Sequence, residues 1–137
     1  MRLFLLTLAG LVALTTLVVA APAALAASYP SKHFRVEYGN TYSDGYVTFY
    51  NRSVGVTGEQ KSVSDTPSGC RYTHAEAFNS SGAMIGEGNS QITCGRSEKF
   101  TIKPFRADVP GGAAYVEVTL VSYDLTDYLD TERLYPR

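Results

Sequence analysis

The two cysteines of the chain, Cys70 and Cys94, bound the stretch that most restricts its fold. Two strand-like runs, Cys70–Phe78 and Ala83–Cys94, flank the turn-forming sequence Asn79–Gly82. Because this turn lies midway between the two cysteines, folding the chain there brings the cysteines together. The sequence therefore predicts a β-hairpin that is closed by a disulfide bond.

The first 26 residues predict a secretory signal peptide. Arg2 precedes a long apolar run, and Ala24 and Ala26 fit the two small-residue positions of a cleavage site. A retained membrane anchor is the alternative, because the apolar run is long enough to span a bilayer. Cleavage would leave residues 27–137 as one all-β secreted, extracellular domain with no membrane attachment. An even number of cysteines in an exported chain again predicts a disulfide bond.

The composition argues against several classes of partner. The 12 basic and 13 acidic residues are spread along the chain and give a net charge of −1. The sequence has no basic face that would predict binding to nucleic acid. It also has no polybasic segment that would predict adhesion to anionic lipid. The chain has ten tyrosines and no tryptophan, an enrichment that suits both β-strands and contact surfaces.

Alternation of apolar and polar residues predicts most of the other strands. They are Phe34–Tyr38, Tyr46–Tyr50, Ser53–Thr57, Gln60–Ser64, Lys99–Lys103 and Ala113–Tyr123. Asp44-Gly45 predicts a tight hairpin turn between the first two of these strands. That turn would direct Phe34, Val36, Tyr38, Tyr42, Val47 and Phe49 inward, and Arg35, Glu37, Thr41, Ser43, Tyr46, Thr48 and Tyr50 outward.

Seven or eight short antiparallel strands favour an all-β, immunoglobulin-like sandwich of two sheets with one hairpin disulfide. A true immunoglobulin domain is not expected, because the chain lacks tryptophan and its cysteines are close in sequence. Near the C-terminus, Leu125, Tyr128 and Leu129 have helical spacing. This segment is expected to form either a short C-terminal helix or a frayed tail.

Several short sequences resemble those of small secreted bacterial β-sandwich proteins of unknown function. They are Tyr50–Val56, Ser68-Gly69-Cys70, Phe78 and Thr93-Cys94-Gly95, within residues 34–121. The resemblance implies a β-sandwich fold and an extracellular location. It transfers no active-site residue.

The sequence contains no recognised catalytic motif of the G-x-S-x-G, H-E-x-x-H or P-loop type. His74, with Glu76 two residues later, could serve acyl transfer only beside an activated nucleophile. We therefore interpret His74 as a strand histidine that is bonded to a neighbour, and the chain as a non-enzyme that needs no cofactor.

We also expect no metal site, because both cysteines should be oxidised and the carboxylates do not cluster with a histidine. Asp124, Asp127 and Asp130 are spaced by three and could line one helix face and contact calcium. A solvated acidic face is the favoured interpretation of these aspartates.

The candidate binding surface consists of Tyr46 and Tyr50 with Arg35 and Glu37 beside them. A pair of aromatic rings edged by hydrogen-bonding groups can stack on a sugar or anchor a protein partner. The alternative is that these tyrosines only cover the sheet, or that the other sheet buries them.

The candidate loop consists of Asp65, Thr66, Pro67, Ser68 and Gly69, directly before Cys70. Because it contains Pro67 and ends at Cys70, this loop should be preorganised, and a preorganised loop binds tightly because it loses little freedom on docking. An ordinary strand connection explains the residues equally well. The sequence thus favours a secreted, non-enzymatic binding or structural module whose partner is an extracellular protein or glycan. The alternative is an inhibitor of an extracellular hydrolase that uses Asp65–Gly69.

Overall fold

A computed structural model describes residues 28–124 and 127–137, so the predicted signal peptide lies outside the described residues. The described residues form eight β-strands, and their helical structure is limited to one 3-10 turn at Pro67–Gly69. None of the helical structure in these two ranges is long and apolar enough to cross a membrane.

The eight strands form two antiparallel sheets of four strands each. The strands are β1 (Ser31–Tyr38), β2 (Thr41–Phe49), β3 (Ser53–Lys61), β4 (Arg71–Phe78), β5 (Met84–Asn89), β6 (Ser97–Arg106), β7 (Tyr115–Ser122) and β8 (Tyr128–Leu134). The first sheet has the order β1-β2-β3-β6, and the second has the order β5-β4-β7-β8. The prediction of an all-β, sandwich-like fold is confirmed.

Apolar side chains from both sheets pack into a single core. Its larger members are Phe34, Val36, Val47, Phe49, Val54, Val56, Phe100, Ile102, Val116, Val118, Leu120 and Leu134. Each comes from a position where an inward residue alternates with an outward one, as half-buried strands require. Within β6 and β7, Phe100, Ile102, Val116, Val118 and Leu120 point inward, whereas Ala114 lies before β7 and is only half-buried.

The predicted hairpin and its disulfide are confirmed. Strands β4 and β5 pair antiparallel, and Cys70 and Cys94 form a disulfide with their Cα atoms 4.4 Å apart. In the turn, the Asn79 side-chain oxygen accepts hydrogen bonds from the backbone amides of Ser81 and Ala83. Gly82 follows with a positive φ of 81°, a conformation that glycine adopts without steric cost.

The turn between β1 and β2 differs from the prediction. It lies at Gly39-Asn40, where Gly39 has a φ of 58°, and Asp44-Gly45 lies inside β2. In the observed register Tyr42 pairs with Glu37 and points outward, whereas Thr41 and Ser43 are buried. The inward direction predicted for Tyr42, and the outward direction predicted for the other two residues, were therefore wrong. Tyr38, which was also predicted to be inward, is 56% exposed.

Gly45 is needed for strand packing rather than for a turn. It lies opposite Gly58 of β3, and a Cβ atom at Gly45 would come within 2.1 Å of the Thr57 carbonyl oxygen. Only a pair of glycines allows the two backbones this close approach. Strand β3 runs unbroken through Gly58, so the two short strands predicted around that residue are one strand.

The C-terminal segment is a strand and not a helix. Strand β8 pairs with β7, and Leu134 is buried opposite Val116. The helix prediction was wrong because the exposed edge of β7 offers this segment backbone partners. Leu125, one of the residues with helical spacing, lies outside the described residues.

Strand β5 contains two glycines because β6 packs against its inner side. A Cβ atom at Gly86 would lie 1.8 Å from the carbonyl oxygen of Arg106, and one at Gly88 would lie 2.6 Å from Ile102 Cγ2. These glycines let the edge of the second sheet approach the edge of the first and close that side of the sandwich.

The interior is polar at the end nearest the disulfide. Gln60 is fully buried; its side-chain oxygen accepts hydrogen bonds from the Thr73 and Ser90 hydroxyls. Its side-chain nitrogen donates to the Gln91 carbonyl and to Thr93 Oγ1. Across residues 28–124 and 127–137, every buried side-chain nitrogen or oxygen has a hydrogen-bond partner.

Candidate functional site

Three of the four predicted surface residues lie together on the outer face of the first sheet. Arg35 and Glu37 project from β1 and Tyr46 projects from β2. Tyr46 pairs across the strands with His33, and their rings meet edge to face with centroids 5.3 Å apart. The tyrosine is nevertheless 53% exposed.

A network of paired charges fixes the polar side chains around Tyr46. Arg35 donates to Asp44 Oδ2 at 2.9 Å and to Glu37 Oε2 at 3.0 Å. His33 Nε2 lies 3.1 Å from the other Asp44 oxygen. The hydrogen bond from Arg35 holds the pKa of Asp44 below its ordinary value, and the bond to Asp44 raises the pKa of Arg35. These groups are thus held in place by one another.

Tyr50, the fourth predicted residue, has a different environment. It lies just beyond the end of β2 and is half-buried. Its ring meets Tyr29 edge to face at 5.0 Å and lies over Gly55, where a Cβ atom would come within 3.1 Å of Tyr50 Cε2. Tyr50 therefore covers the backbone of β3, and Tyr46 offers the larger exposed aromatic surface.

The Asp65–Gly69 loop is exposed at its tip and firmly attached at its base. Its first four residues are exposed, and Gly69 donates a backbone hydrogen bond to the Thr66 carbonyl. The Ser68 carbonyl accepts hydrogen bonds from Arg71 Nη1 at 2.7 Å and from Ser122 Oγ at 3.2 Å. The loop therefore presents an exposed tip on a hydrogen-bonded base.

A cluster of three ionisable side chains lies on the outer face of the second sheet. His74 and Glu76 come from β4, and Glu87 of β5 pairs directly with Glu76. His74 Nε2 lies 3.6 Å from Glu76 Oε1 and 3.6 Å from Glu87 Oε2. One nitrogen or oxygen from each of the three residues lies within 4.8 Å of the other two. We call these residues the His-Glu-Glu cluster.

The histidine of this cluster is fixed in position. His74 is only 7% exposed, and its Nδ1 lies 2.6 Å from the side-chain oxygen of Asn89, the residue opposite it on β5. The predicted bond between His74 and a neighbouring residue is thus present, as the hydrogen bond with Asn89. The ring of Tyr128 lies over the site, 5.9 Å from the imidazole; burial, and then the negative charge of Glu76, raise the pKa of Tyr128.

The expectation that the carboxylates do not cluster with a histidine was wrong. Glu87 is 13 positions from His74 in the sequence, and the pairing of β4 with β5 brings the two together. The only local signal was the alternation in β4, which already put His74 and Glu76 on one face. The three aspartates once considered for calcium do not share a helix, because Asp130 lies in β8.

Comparison of the chain with protein-family models, with curated proteins and with solved structures found no significant match. The resemblance to small secreted bacterial β-sandwich proteins therefore stays a prediction. The two outer sheet faces and the Asp65–Gly69 loop are the surfaces for which a function can be proposed.

Proposed function

We propose that this chain is a secreted, non-enzymatic binding module that contacts a glycan through the outer face of its first sheet. The observation that carries the proposal is the environment of Tyr46. This tyrosine is more than half exposed, and hydrogen bonds among Arg35, Asp44 and Glu37 hold polar groups in fixed positions beside it. Because the strands are rigid, little freedom is lost when a ligand docks there.

The chemistry of this face suits a sugar better than a protein partner. A sugar ring has one apolar face that packs on an aromatic ring, and hydroxyls that accept from a guanidinium and donate to carboxylates. The centre of a protein–protein interface is depleted in charged residues. Here the exposed Tyr46 ring lies beside charged groups that are already paired.

Two further inferences accompany this proposal. Secretion is supported by the Cys70–Cys94 disulfide, since such bonds persist in oxidising compartments. An immunoglobulin-like topology is supported by the pairing of β3 with β6 in one sheet and of β4 with β7 in the other. These pairs correspond to the B–E and C–F pairs of immunoglobulin sandwiches.

Affinity electrophoresis against a panel of soluble polysaccharides tests the glycan proposal. We expect at least one polysaccharide, such as glycol chitin, xylan or a mixed-linkage β-glucan, to retard the wild-type chain. Tyr46→Ser should weaken that binding at least about ten-fold, equivalent to about 1.4 kcal/mol. The matched control is Tyr38→Ser, since Tyr38 is 56% exposed on the same sheet, close to the 53% of Tyr46.

Two results would overturn the glycan proposal. One is the absence of retardation by every polysaccharide in the panel. The other is equal binding by the Tyr46→Ser and Tyr38→Ser variants. Capture of a defined protein that the Tyr46→Ser variant no longer retains would also overturn it and would favour a protein partner.

A second candidate function is inhibition of an extracellular hydrolase through the Asp65–Gly69 loop. The specific observation is that its exposed tip is anchored through the Ser68 carbonyl by Arg71 and Ser122. Inhibition of a secreted amylase or protease that a Thr66→Ala, Pro67→Ala double variant abolishes would support this function. Unchanged inhibition by that variant, or no inhibition by the wild type, would oppose it.

A further inference from the structure

The His-Glu-Glu cluster on the second sheet has the composition and spacing of a metal site. We propose that His74, Glu76 and Glu87 bind a divalent transition-metal ion, for which Zn²⁺ is the best match. The site lies on the sheet opposite to Tyr46, so this proposal goes beyond glycan binding and does not depend on it.

The distances within the cluster fit ligands of a common ion better than direct hydrogen bonds. His74 Nε2 lies 3.6 Å from one oxygen of each glutamate, which is longer than a hydrogen bond between nitrogen and oxygen. Around a tetrahedral zinc ion with bonds of about 2.1 Å, neighbouring ligand atoms lie about 3.4 Å apart. All three ligand atoms lie within 4.8 Å of one another, so the two glutamate side chains need to move closer together to surround an ion.

The orientation of His74 leaves its second nitrogen directed at the carboxylates. In the tautomer whose Nδ1–H donates to the Asn89 side-chain oxygen, 2.6 Å away, Nε2 carries a lone pair. Three electron-pair donors then face one another, an arrangement that a cation stabilises. In metal-binding histidines, the imidazole nitrogen that does not bind the metal typically donates a hydrogen bond to an oxygen acceptor.

The neighbouring glutamate on the same face shows how this sheet neutralises a carboxylate without a metal. Glu117 pairs with Glu76 from the other side, and Arg133 donates to Glu117 Oε1 at 2.9 Å and 2.6 Å. In contrast, Glu76 and Glu87 lie directly opposite each other, an arrangement of like charges that destabilises a sheet. Among the described residues, the group that faces both carboxylates is the His74 imidazole, whose Nε2 lies 3.6 Å from each.

The donor set determines which ion fits. One imidazole nitrogen with two carboxylate oxygens suits zinc, which often has three protein ligands and one open position. Calcium prefers six to eight oxygen ligands, and magnesium keeps most of its waters. Because the Glu87 side chain is 55% exposed, an ion can enter from solvent, and water can occupy the remaining position.

Isothermal titration of the untagged, disulfide-bonded chain with ZnCl₂ at pH 7.5 tests this proposal. We expect saturable binding of one equivalent, and much weaker binding of CaCl₂ and MgCl₂. Glu87→Gln and Glu76→Gln should each weaken zinc binding at least about ten-fold. The matched control is Glu37→Gln, since the Glu37 side chain is 58% exposed, close to the 55% of Glu87, but lies on the other sheet.

A spectroscopic readout separates metal coordination from a purely structural role. Co²⁺ bound to the wild type should give the visible absorption of a four- or five-coordinate ion, and Glu87→Gln should lose it while unfolding at the wild-type urea concentration. Absence of zinc binding would overturn the proposal and leave His74 as an ion-pair partner only. Equal binding by the Glu87→Gln and Glu37→Gln variants, or binding that His33→Ala abolishes, would also overturn it.

Discussion

Glu132 Oε2 accepts a hydrogen bond of 2.8 Å from the backbone nitrogen of Arg35. Arg35 lies in β1, the edge strand of the first sheet, and Glu132 lies in β8, the edge strand of the second. Asp130 accepts in the same way from the backbone nitrogen of Glu37 at 2.9 Å. Two carboxylates of β8 therefore cover amides of β1 that could otherwise pair with a strand of another chain.

Removal of this edge cover should lower stability and promote association. In the Asp130→Ala, Glu132→Ala double variant, two backbone amides lose carboxylate acceptors. Because both hydrogen bonds are exposed, water can replace the acceptor, and each lost bond costs about 0.5–1.5 kcal/mol. Urea unfolding measures the loss in free energy of unfolding, and light scattering measures association. A Glu132→Gln variant keeps an acceptor oxygen and should lose less. Wild-type stability in the double variant would show that these bonds contribute nothing.

Acid should lower the stability of the folded protein by protonating Asp44 on the outer face of the first sheet. The hydrogen bond from Arg35 lowers the pKa of Asp44 in the folded protein. A carboxyl with a lowered folded pKa contributes stability above its unfolded pKa, about 3.9 for aspartate, and loses it as the pH falls through the folded value. The contribution should therefore be constant from pH 7 to about pH 5 and decline below about pH 4.

The control for this pH dependence is Asp44→Asn. Urea unfolding of both proteins between about pH 7 and pH 2 should show a smaller decline in the variant below about pH 4. Because Asp44 is about a third exposed, solvent screening keeps this difference small. Parallel curves for the two proteins would mean that Asp44 does not contribute to acid sensitivity.

Substitution of Gly86 should be far more damaging than substitution of Gly55. A Cβ atom at Gly86 meets the backbone oxygen of Arg106 at 1.8 Å, whereas one at Gly55 meets the Tyr50 ring at 3.1 Å. A side-chain ring can move aside, but a paired backbone cannot without shifting a strand. We expect Gly86→Ala to cost about 1–3 kcal/mol or more in urea unfolding, and Gly55→Ala to cost less. The reverse order would contradict the packing described for β5 and β6.

Local patterns predicted much of this fold. The hairpin between Cys70 and Cys94 follows from its turn residues and its symmetric cysteines, and alternation in Lys99–Lys103 and Ala113–Tyr123 identified β6 and β7. These features are encoded within a few residues, by backbone preferences and by the two-residue period of a strand. The exposure of Arg35, Glu37 and Tyr46 was also predicted correctly, because it follows from the two-residue period of a strand. The turn predicted at Asp44-Gly45 was nevertheless wrong.

Other features depend on contacts that the sequence does not show. Asp44-Gly45 has the composition of a hairpin turn, yet Gly45 is required by its contact with Gly58 on a neighbouring strand. The segment of β8 has helical spacing, yet the free edge of β7 makes it a strand. In both cases tertiary contacts outweighed the local preference.

The cysteines and their hairpin were determined by the sequence alone, whereas the position of Glu87 was decided by strand register. If β4 and β5 kept the register of the Arg71–Thr93 bridge, Glu76 would face Gly88 and Glu87 would point to the other side. The observed pairing is shifted by one residue and sets Glu87 opposite Glu76. Because a one-residue shift reverses the face of every side chain in a strand, only the folded hairpin brings both glutamates to His74.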